Sequence, residues 1–249
     1  MKIIFLTTDD PIYLPAFFER VLSVLAPQTA AVYVVPPLYK KQTALDAAVR
    51  YWRTFGLAAT GHLTIRILQS RLRGQSIAAV CQKRNVHCAS VRDVNAPDFL
   101  AWLRGQAPDV MVSVSCPQIF KKPLIELPAR GILNIHGAIL PNYRGVMPSF
   151  WMLANGEKRA GVSIYFVNEL IDAGDLCGQR VFDILPEESL DHFLRRSKGI
   201  AAELLLEVLA KMERGDVSAT PLDLAKGSYY SWPDPTAVKR FRALGRRLW

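Results

Sequence analysis

GILNIHGAILPNYRGVMPSFWMLANGEKRAGVSIYFVNELIDAGDLCG, residues 131–178, is the stretch whose reading decides the fold. Ile132, Leu133 and Ile135 alternate with Asn134 and His136, the pattern of a short strand that ends in polar side chains. Gly137, Pro141, Asn142 and Gly145 then punctuate a loop. Pro148 starts a helix through Ser149–Leu153, and Asn155-Gly156 ends it. Gly161–Val167 alternates as a longer strand and runs into the acidic turn Asn168–Asp175. Strand ends and loops thus offer Asn134, His136 and Asp172 to one place. In open α/β sheets ligands bind beyond the carboxyl ends of the strands, so that place is a candidate site.

Upstream, Lys2–Thr7 reads as a buried first strand and Leu14–Ala26 as the helix behind it, with Phe17, Val21 and Leu25 at helical spacing. Thr7–Pro11 between them holds no glycine, which excludes a dinucleotide fingerprint and a P-loop. Ala30–Val35 is a second strand stopped by Pro36-Pro37, and this start predicts a right-handed parallel crossover. Helices are expected at Thr43–Phe55 and Leu63–Arg73, and Ser76 caps another at Ile77–Lys83. Val86–Ala89 and Asp109–Ser115 read as strands around a Pro97–Leu103 helix. Alternating strands and helices predict an α/β fold, a doubly wound, mostly parallel sheet. Residues 40–75 mix apolar side chains with Arg50, Arg53, Arg66, Arg71 and Arg73. They read either as a packed helical hairpin or as an amphipathic surface that lies on a membrane.

Downstream, Leu176–Ile184 is a further strand. Ser189 caps a long helix that buries Leu190, Phe193, Ile200, Leu204 and Leu205 before Gly215 ends it. The chain divides on this reading into residues 1–215 and a C-terminal extension, 216–249. The extension carries a helix at Ala237–Leu248, with Val238, Phe241, Leu244 and Leu248 on one side and Lys239, Arg240, Arg242, Arg246 and Arg247 largely elsewhere. Such a helix packs on its own domain or docks weakly on an anionic membrane surface.

Half of the 249 residues are hydrophobic, ample for a core and far from a disordered composition. The formal charge of +9 favours anionic partners wherever it is not simply solvated surface. The apolar run Ile3–Leu6 is too short for a signal peptide or a span. Cys81, Cys88, Cys116 and Cys177 show neither C-x-x-C pairs nor zinc-type spacing, so no metal site is expected and the thiols read as reduced, in the cytoplasm.

Asn134-x-His136, then Leu140-Pro141-Asn142-Tyr143-Arg144-Gly145, then Leu170-x-Asp172-x-Gly174-Asp175 closely resembles the catalytic domain of the 10-formyltetrahydrofolate-dependent formyltransferases. That family includes methionyl-tRNA, glycinamide ribonucleotide and sugar N-formyltransferases. The resemblance is clear from about Ala107 to Ile184 and weaker over most of the first 215 residues. It implies a formyltransferase-like variant of the Rossmann fold and transfer of a formyl group from 10-formyltetrahydrofolate to an amine. The amine attacks, an oxyanion develops, and N10 of the folate leaves with a proton. Asn134 offers a carboxamide donor, His136 a donor that can shuttle a proton, and an ionised Asp172 favours the imidazolium. By resemblance these three are the catalytic residues. Gln118, Ile119 and Phe120, with Val167 through Asp172 and Leu170 among them, correspond to the folate pocket. Phe120 and Val167 read equally well as core, and Arg144 as a surface charge.

The acceptor is the open part. Thr7–Pro11 lacks the glycine-rich loop expected for glycinamide ribonucleotide, and the roughly thirty-four residues after Gly215 are too few for the β-barrel of about a hundred residues usual in tRNA-acting members. An amino sugar, carried on a nucleotide or a lipid, is therefore the expected acceptor. Another small amine or methionyl-tRNA is the alternative acceptor, although tRNA is not the expected partner, and no DNA partner is expected. A non-catalytic folate- or RNA-binding module on the same fold is the alternative class.

Overall fold

The computed structural model describes residues 1–36 and 44–249. Pro37, the Lys40–Lys41 pair and the expected helix start at Thr43 lie outside the described residues. β1 (Ile3–Thr7) is buried at every position, as a strand covered on both faces must be. α1 (Leu14–Leu25) turns Phe17, Phe18, Val21 and Leu22 onto it, and β2 (Thr29–Val34) pairs with it in parallel. α2 (Ala44–Phe55) and α3 (Leu57–Leu72) form a hairpin broken only at Gly56. The φ of +95° there is open to glycine and closed to most side chains, which is why α3 starts earlier than the expected Leu63.

α4 (Ile77–Lys83) is capped by Ser76, whose Oγ accepts from the Ala79 amide at 3.1 Å. β3 (Cys88–Ser90) begins two residues later than the sequence suggests, because the Val86 amide still donates back to Cys81 O at 2.9 Å. α5 (Pro97–Gln106), β4 (Val110–Val114), α6 (Lys122–Ile125) and β5 (Ile132–His136) follow. Then come β6 (Arg144–Gly145), α7 (Pro148–Ala154), β7 (Arg159–Phe166), β8 (Leu176–Asp183) and α8 (Leu190–Arg214). β9 (Tyr229–Tyr230) and α9 (Pro235–Ala243) complete the order.

The main sheet runs β3-β2-β1-β4-β5-β7-β8, parallel through β5 and antiparallel at β7 and β8. It is doubly wound. The chain goes one way from β1 to β2 and the other way from β4 to β5, which opens a crevice at their carboxyl ends. α1 and α8 cover one face through Phe17, Phe18, Leu205 and Leu209. Phe99, Leu103, Phe120 and Leu124 cover the other. A third cluster joins α7, α8, α9 and Phe55 of the hairpin through Phe150, Phe193 and Phe241. Each such fully buried ring stabilises the fold by ~1.5–3 kcal/mol.

The extension packs on the body of the molecule, since Ala237, Val238 and Phe241 are buried and the Phe241 ring stacks on Phe150 with centroids 5.1 Å apart. Its helix is shorter than the expected Ala237–Leu248 and ends at Ala243, leaving Leu244 half-exposed. The residues beyond serve α8 instead. Arg247 O and Leu248 O accept from the Leu190 and Asp191 amides, both at 2.9 Å, which supplies partners for donors the first turn of α8 leaves open. β9 pairs with β6, a small parallel sheet that the sequence does not announce.

Candidate active site

β5 sets the geometry. Leu133 and Ile135 point into the α1–α8 core, so alternation turns Asn134 and His136 to the opposite face. Tyr165 of β7 stands directly across from Asn134, and Ser163 across from His136. The Asn168–Asp175 turn then folds back over this pair. Gly174 makes that fold possible, because a Cβ there would sit 1.7 Å from the Phe166 carbonyl oxygen. Asp172 takes a positive φ of 49°, a conformation Asp tolerates better than most residues.

A closed polar network results. The Tyr165 hydroxyl donates to Asp172 Oδ1 at 2.7 Å and accepts from Asn134 Nδ2 at 2.8 Å, which fixes the Asn134 amide with its nitrogen toward the tyrosine. The second amide hydrogen of Asn134 is left for a ligand. Asp172 Oδ2 accepts from the Gly145 amide at 2.8 Å and lies 3.6 Å from His136 Nδ1. His136 Nε2 stands 2.8 Å from Tyr143 O, and a carbonyl only accepts, so Nε2 carries a proton. The proton that can come and go is therefore the one on Nδ1, facing Asp172. Burial, then the Asp172 charge, pushes the Tyr165 phenol far up, so it remains a neutral donor.

The network lines a cleft of about 730 Å³. All eight residues singled out from the sequence reach it: Asn134, His136, Asp172, Gln118, Ile119, Phe120, Val167 and Leu170. They do so differently. Ile119 and Leu170 are exposed apolar jaws, while Phe120 is buried and serves the core as well. The Gln118 side chain is fully engaged, accepting from Val94 N at 3.0 Å and donating to Pro36 O and Arg92 O, both at 2.7 Å. It clamps three loops and leaves only its backbone for a ligand. Of the Leu140–Gly145 loop, Gly145 lines the cleft, Tyr143 serves His136 through its carbonyl, and Arg144 pairs in β6 through its backbone.

Sequence reasoning misses three contributors. Tyr165 reads as one aromatic in an alternating strand, and only the register with Asn134 exposes its role. Tyr229 reaches the cleft from the extension, through the β6–β9 pair. Lys198 of α8 enters from the β1 flank, its Nζ 2.8 Å from Ser115 Oγ. Burial pushes its amine down, against the opposing charge of Asp10. Because Val114 pairs with Ile135, Ser115 sits beside His136 at the strand ends. Cys116 also lines the cleft, but burial raises its thiol to about 11, so it is no nucleophile at neutral pH. Among the described residues no cluster of His, Cys, Asp or Glu could hold a metal ion.

The site's elements coincide with a known family. The formyl transferase family model matches residues 62–209, more than half of the chain. The chain belongs to that family. This formyl transferase is 33% identical to the methionyl-tRNA formyltransferase of Thermotoga maritima over 164 residues, which cover 64% of the chain and 52% of the relative. The chain spans about half the length of the curated relatives it matches. Its fold is that of a sugar N-formyltransferase from Shewanella sp. FDAARGOS_354, at TM-score 0.61 and 19% identity over 93% of this chain and 76% of that one. An N-formyltransferase from Helicobacter canadensis, solved with folinic acid and dTDP-3-aminofucose, matches at TM-score 0.59 and 16% identity over 93% and 71% of the two chains. At such identities the likeness carries the fold.

Proposed function

We propose that this formyl transferase moves a formyl group from 10-formyltetrahydrofolate to a primary amine, the amine of an amino sugar carried on a nucleotide or a lipid. The observation that carries the reading is the closed Asn134–Tyr165–Asp172–His136 network at the floor of the cleft. The apolar jaws Ile119, Phe120, Val167 and Leu170, with backbone polar groups between them, fit a flat heteroaromatic donor. When bound, that donor supplies the formyl carbon and a nitrogen leaving group. Asn134 then directs its remaining amide hydrogen at the oxyanion. His136 holds and releases the Nδ1 proton, and Asp172 steadies the charged form. Tyr165 and the Gly145 amide hold Asp172 in place. The β1 flank, with Lys198 and Ser115, receives the acceptor.

The Helicobacter canadensis protein, named with an amino sugar on a nucleotide, supports the acceptor class. Methionyl-tRNA is the second reading, supported by the names of the relatives in sequence. We place the reaction in the cytoplasm; among the described residues no helix is long and apolar enough to cross a membrane. The test incubates the protein with 10-formyltetrahydrofolate and a panel holding a nucleotide-linked amino sugar, a lipid-linked amino sugar, glycinamide ribonucleotide and methionyl-tRNA. Formylated amino sugar is the expected product. Formylation of methionyl-tRNA alone overturns the acceptor, and folded protein that binds no folate overturns the reading.

A further inference from the structure

α3 presents an apolar stripe to solvent. Leu57, Gly61, Ile65, Leu68 and Leu72 recur at spacings of four, four, three and four, which gathers them within about 80° of one another on a helix. The buried or half-buried positions Ala59, Leu63 and Arg66 fall on the opposite side. The stripe therefore faces directly away from the molecule it belongs to. Leu57 is 74% and Leu72 87% exposed, with Ile65 and Leu68 above half. α2 adds Leu45 and Trp52, both exposed and seven residues apart on one side of that helix, away from Arg50. Apolar side chains exposed at helical period on two adjoining helices make a patch, and patches of this kind mark a docking surface.

Charge decides what docks. Residues 44–73 hold five arginines against the single acid Asp46; Arg66 and Arg71 pair with Asp191 and Asp9 and Arg50 lies over Trp232, while Arg53 and Arg73 are exposed. Two copies of such a face would bring like charges together. An RNA site would show stacking aromatics and cations in place of a leucine–isoleucine stripe. An anionic lipid surface satisfies both features, since acyl chains accept the stripe and headgroups the exposed guanidinium groups of Arg53 and Arg73.

We propose that the α2–α3 hairpin docks this protein, face down, on an anionic membrane surface. The proposal rests on this exposed face and is independent of the reaction assigned to the cleft. The hairpin is fastened to the β1 flank of that cleft. Arg66 pairs with Asp191 at 2.6 Å, and Asp191 in turn accepts from the cleft residue Tyr13 at 2.7 Å. Arg71 lies 3.5 Å from Asp9, in the loop after β1. Docking through α3 thus holds the cleft at the lipid surface.

Sedimentation of the full chain with vesicles tests this. The protein should pellet with vesicles of phosphatidylglycerol and phosphatidylcholine, and stay in solution with phosphatidylcholine alone. The combined I65E/L68E/L72E variant should lower the bound fraction at least tenfold. All three positions are solvent-exposed, so its circular dichroism and melting temperature should match the parent. R53E should weaken binding less and make its loss with salt shallower. Failure of the parent to bind anionic vesicles overturns the proposal, as does a folded triple variant that binds undiminished. A parent that is dimeric and ignores vesicles, with a monomeric triple variant, assigns the stripe to a second copy and equally overturns it. So does binding of the parent to RNA with none to lipid.

Discussion

The cleft and the α2–α3 hairpin handle their side chains in opposite ways. In the cleft nearly every polar group has found a partner: Asn134 with Tyr165, Tyr165 and Gly145 with Asp172, and His136 with Tyr143 O. In the hairpin the notable groups are apolar and face only water, Leu57 and Leu72 above all. Two kinds of function announce themselves by these two signs. A catalytic site must hold its groups still, so its mark is a network that satisfies itself and leaves one donor over. A docking face must stay uncommitted until its partner arrives, so its mark is surface the fold has not used.

Breaking the network at its centre should give the largest effect. His136→Ala removes the ring that faces both Asp172 and Tyr143 O, and Asn134→Ala removes the spare amide donor. Each is expected to lower turnover ~10²–10³-fold with donor binding and melting temperature retained. Vesicle sedimentation should not change. A folded His136→Ala enzyme at near-normal turnover would sink the site.

Tyr165→Phe sharpens the comparison, because it keeps the ring and removes only the hydroxyl that ties Asn134 to Asp172. Hydrogen bonds to charged groups contribute ~1.5–3 kcal/mol, so turnover should fall roughly ten- to a hundredfold. Asp172 loses a donor as well. The pH dependence of kcat should therefore shift in the variant, whereas a role in packing alone would leave the profile in place.

Legibility divides along the same line. Asn134, His136 and Asp172 were readable because short-range pattern encodes them, two on one strand and one in an acidic turn. Tyr165 and Lys198 were not, because each acquires its place from a partner far along the chain, 31 residues away for Tyr165 and 83 for Lys198. The sheet was readable in its order of elements, since buried strands are apolar throughout and prolines and glycines mark their ends. Two short pieces escaped. β6 and β9 have two residues each and exist only through each other. The tail helix was overextended because Leu244 and Leu248 keep helical spacing after the backbone has turned to cap α8. Of the two readings of residues 40–75, the described residues from 44 onward form the packed helical hairpin, and contact with a membrane is the proposal made above. Phe55 and Ala59 pack inward, while the outer face keeps its apolar stripe.

Asp191 joins the two regions, and its removal should separate them. Burial favours the neutral carboxyl, but hydrogen bonds from Tyr13, Arg66 and Arg195 outweigh that and hold its pKa below the usual carboxylate range. A depressed folded pKa stabilises the protein above the unfolded value and loses that stabilisation as pH falls through the folded one. Asp191→Asn should therefore cost about 1.5–2 kcal/mol at neutral pH, a melting temperature lower by roughly 3–8 °C. Below about pH 4 the gap between parent and variant should narrow. A gap that widens on acidification would mean that the carboxylate is not what the pair depends on.

The smallest effect is expected at Lys198, and it reports on the flank of the cleft that faces the hairpin. Its Nζ has one neutral partner, Ser115 Oγ at 2.8 Å, with Asp10 as the acidic influence on its charge. A half-buried ammonium with so little local compensation favours an anionic group on whatever binds beside it. Ser115 stands at the strand end next to His136, so such a group would hold the acceptor rather than the donor, whose jaws Phe120 and Val167 pack on the face of the sheet opposite α8. Lys198→Met keeps the stem and removes the charge. The KM for an anionic acceptor should rise about fivefold, near 1 kcal/mol, with kcat and folate affinity unchanged. Loss confined to kcat would move Lys198 into the chemistry. An unchanged KM, with a lower melting temperature, would make it a strut between α8 and β4 and leave the acceptor's anchor elsewhere in the cleft.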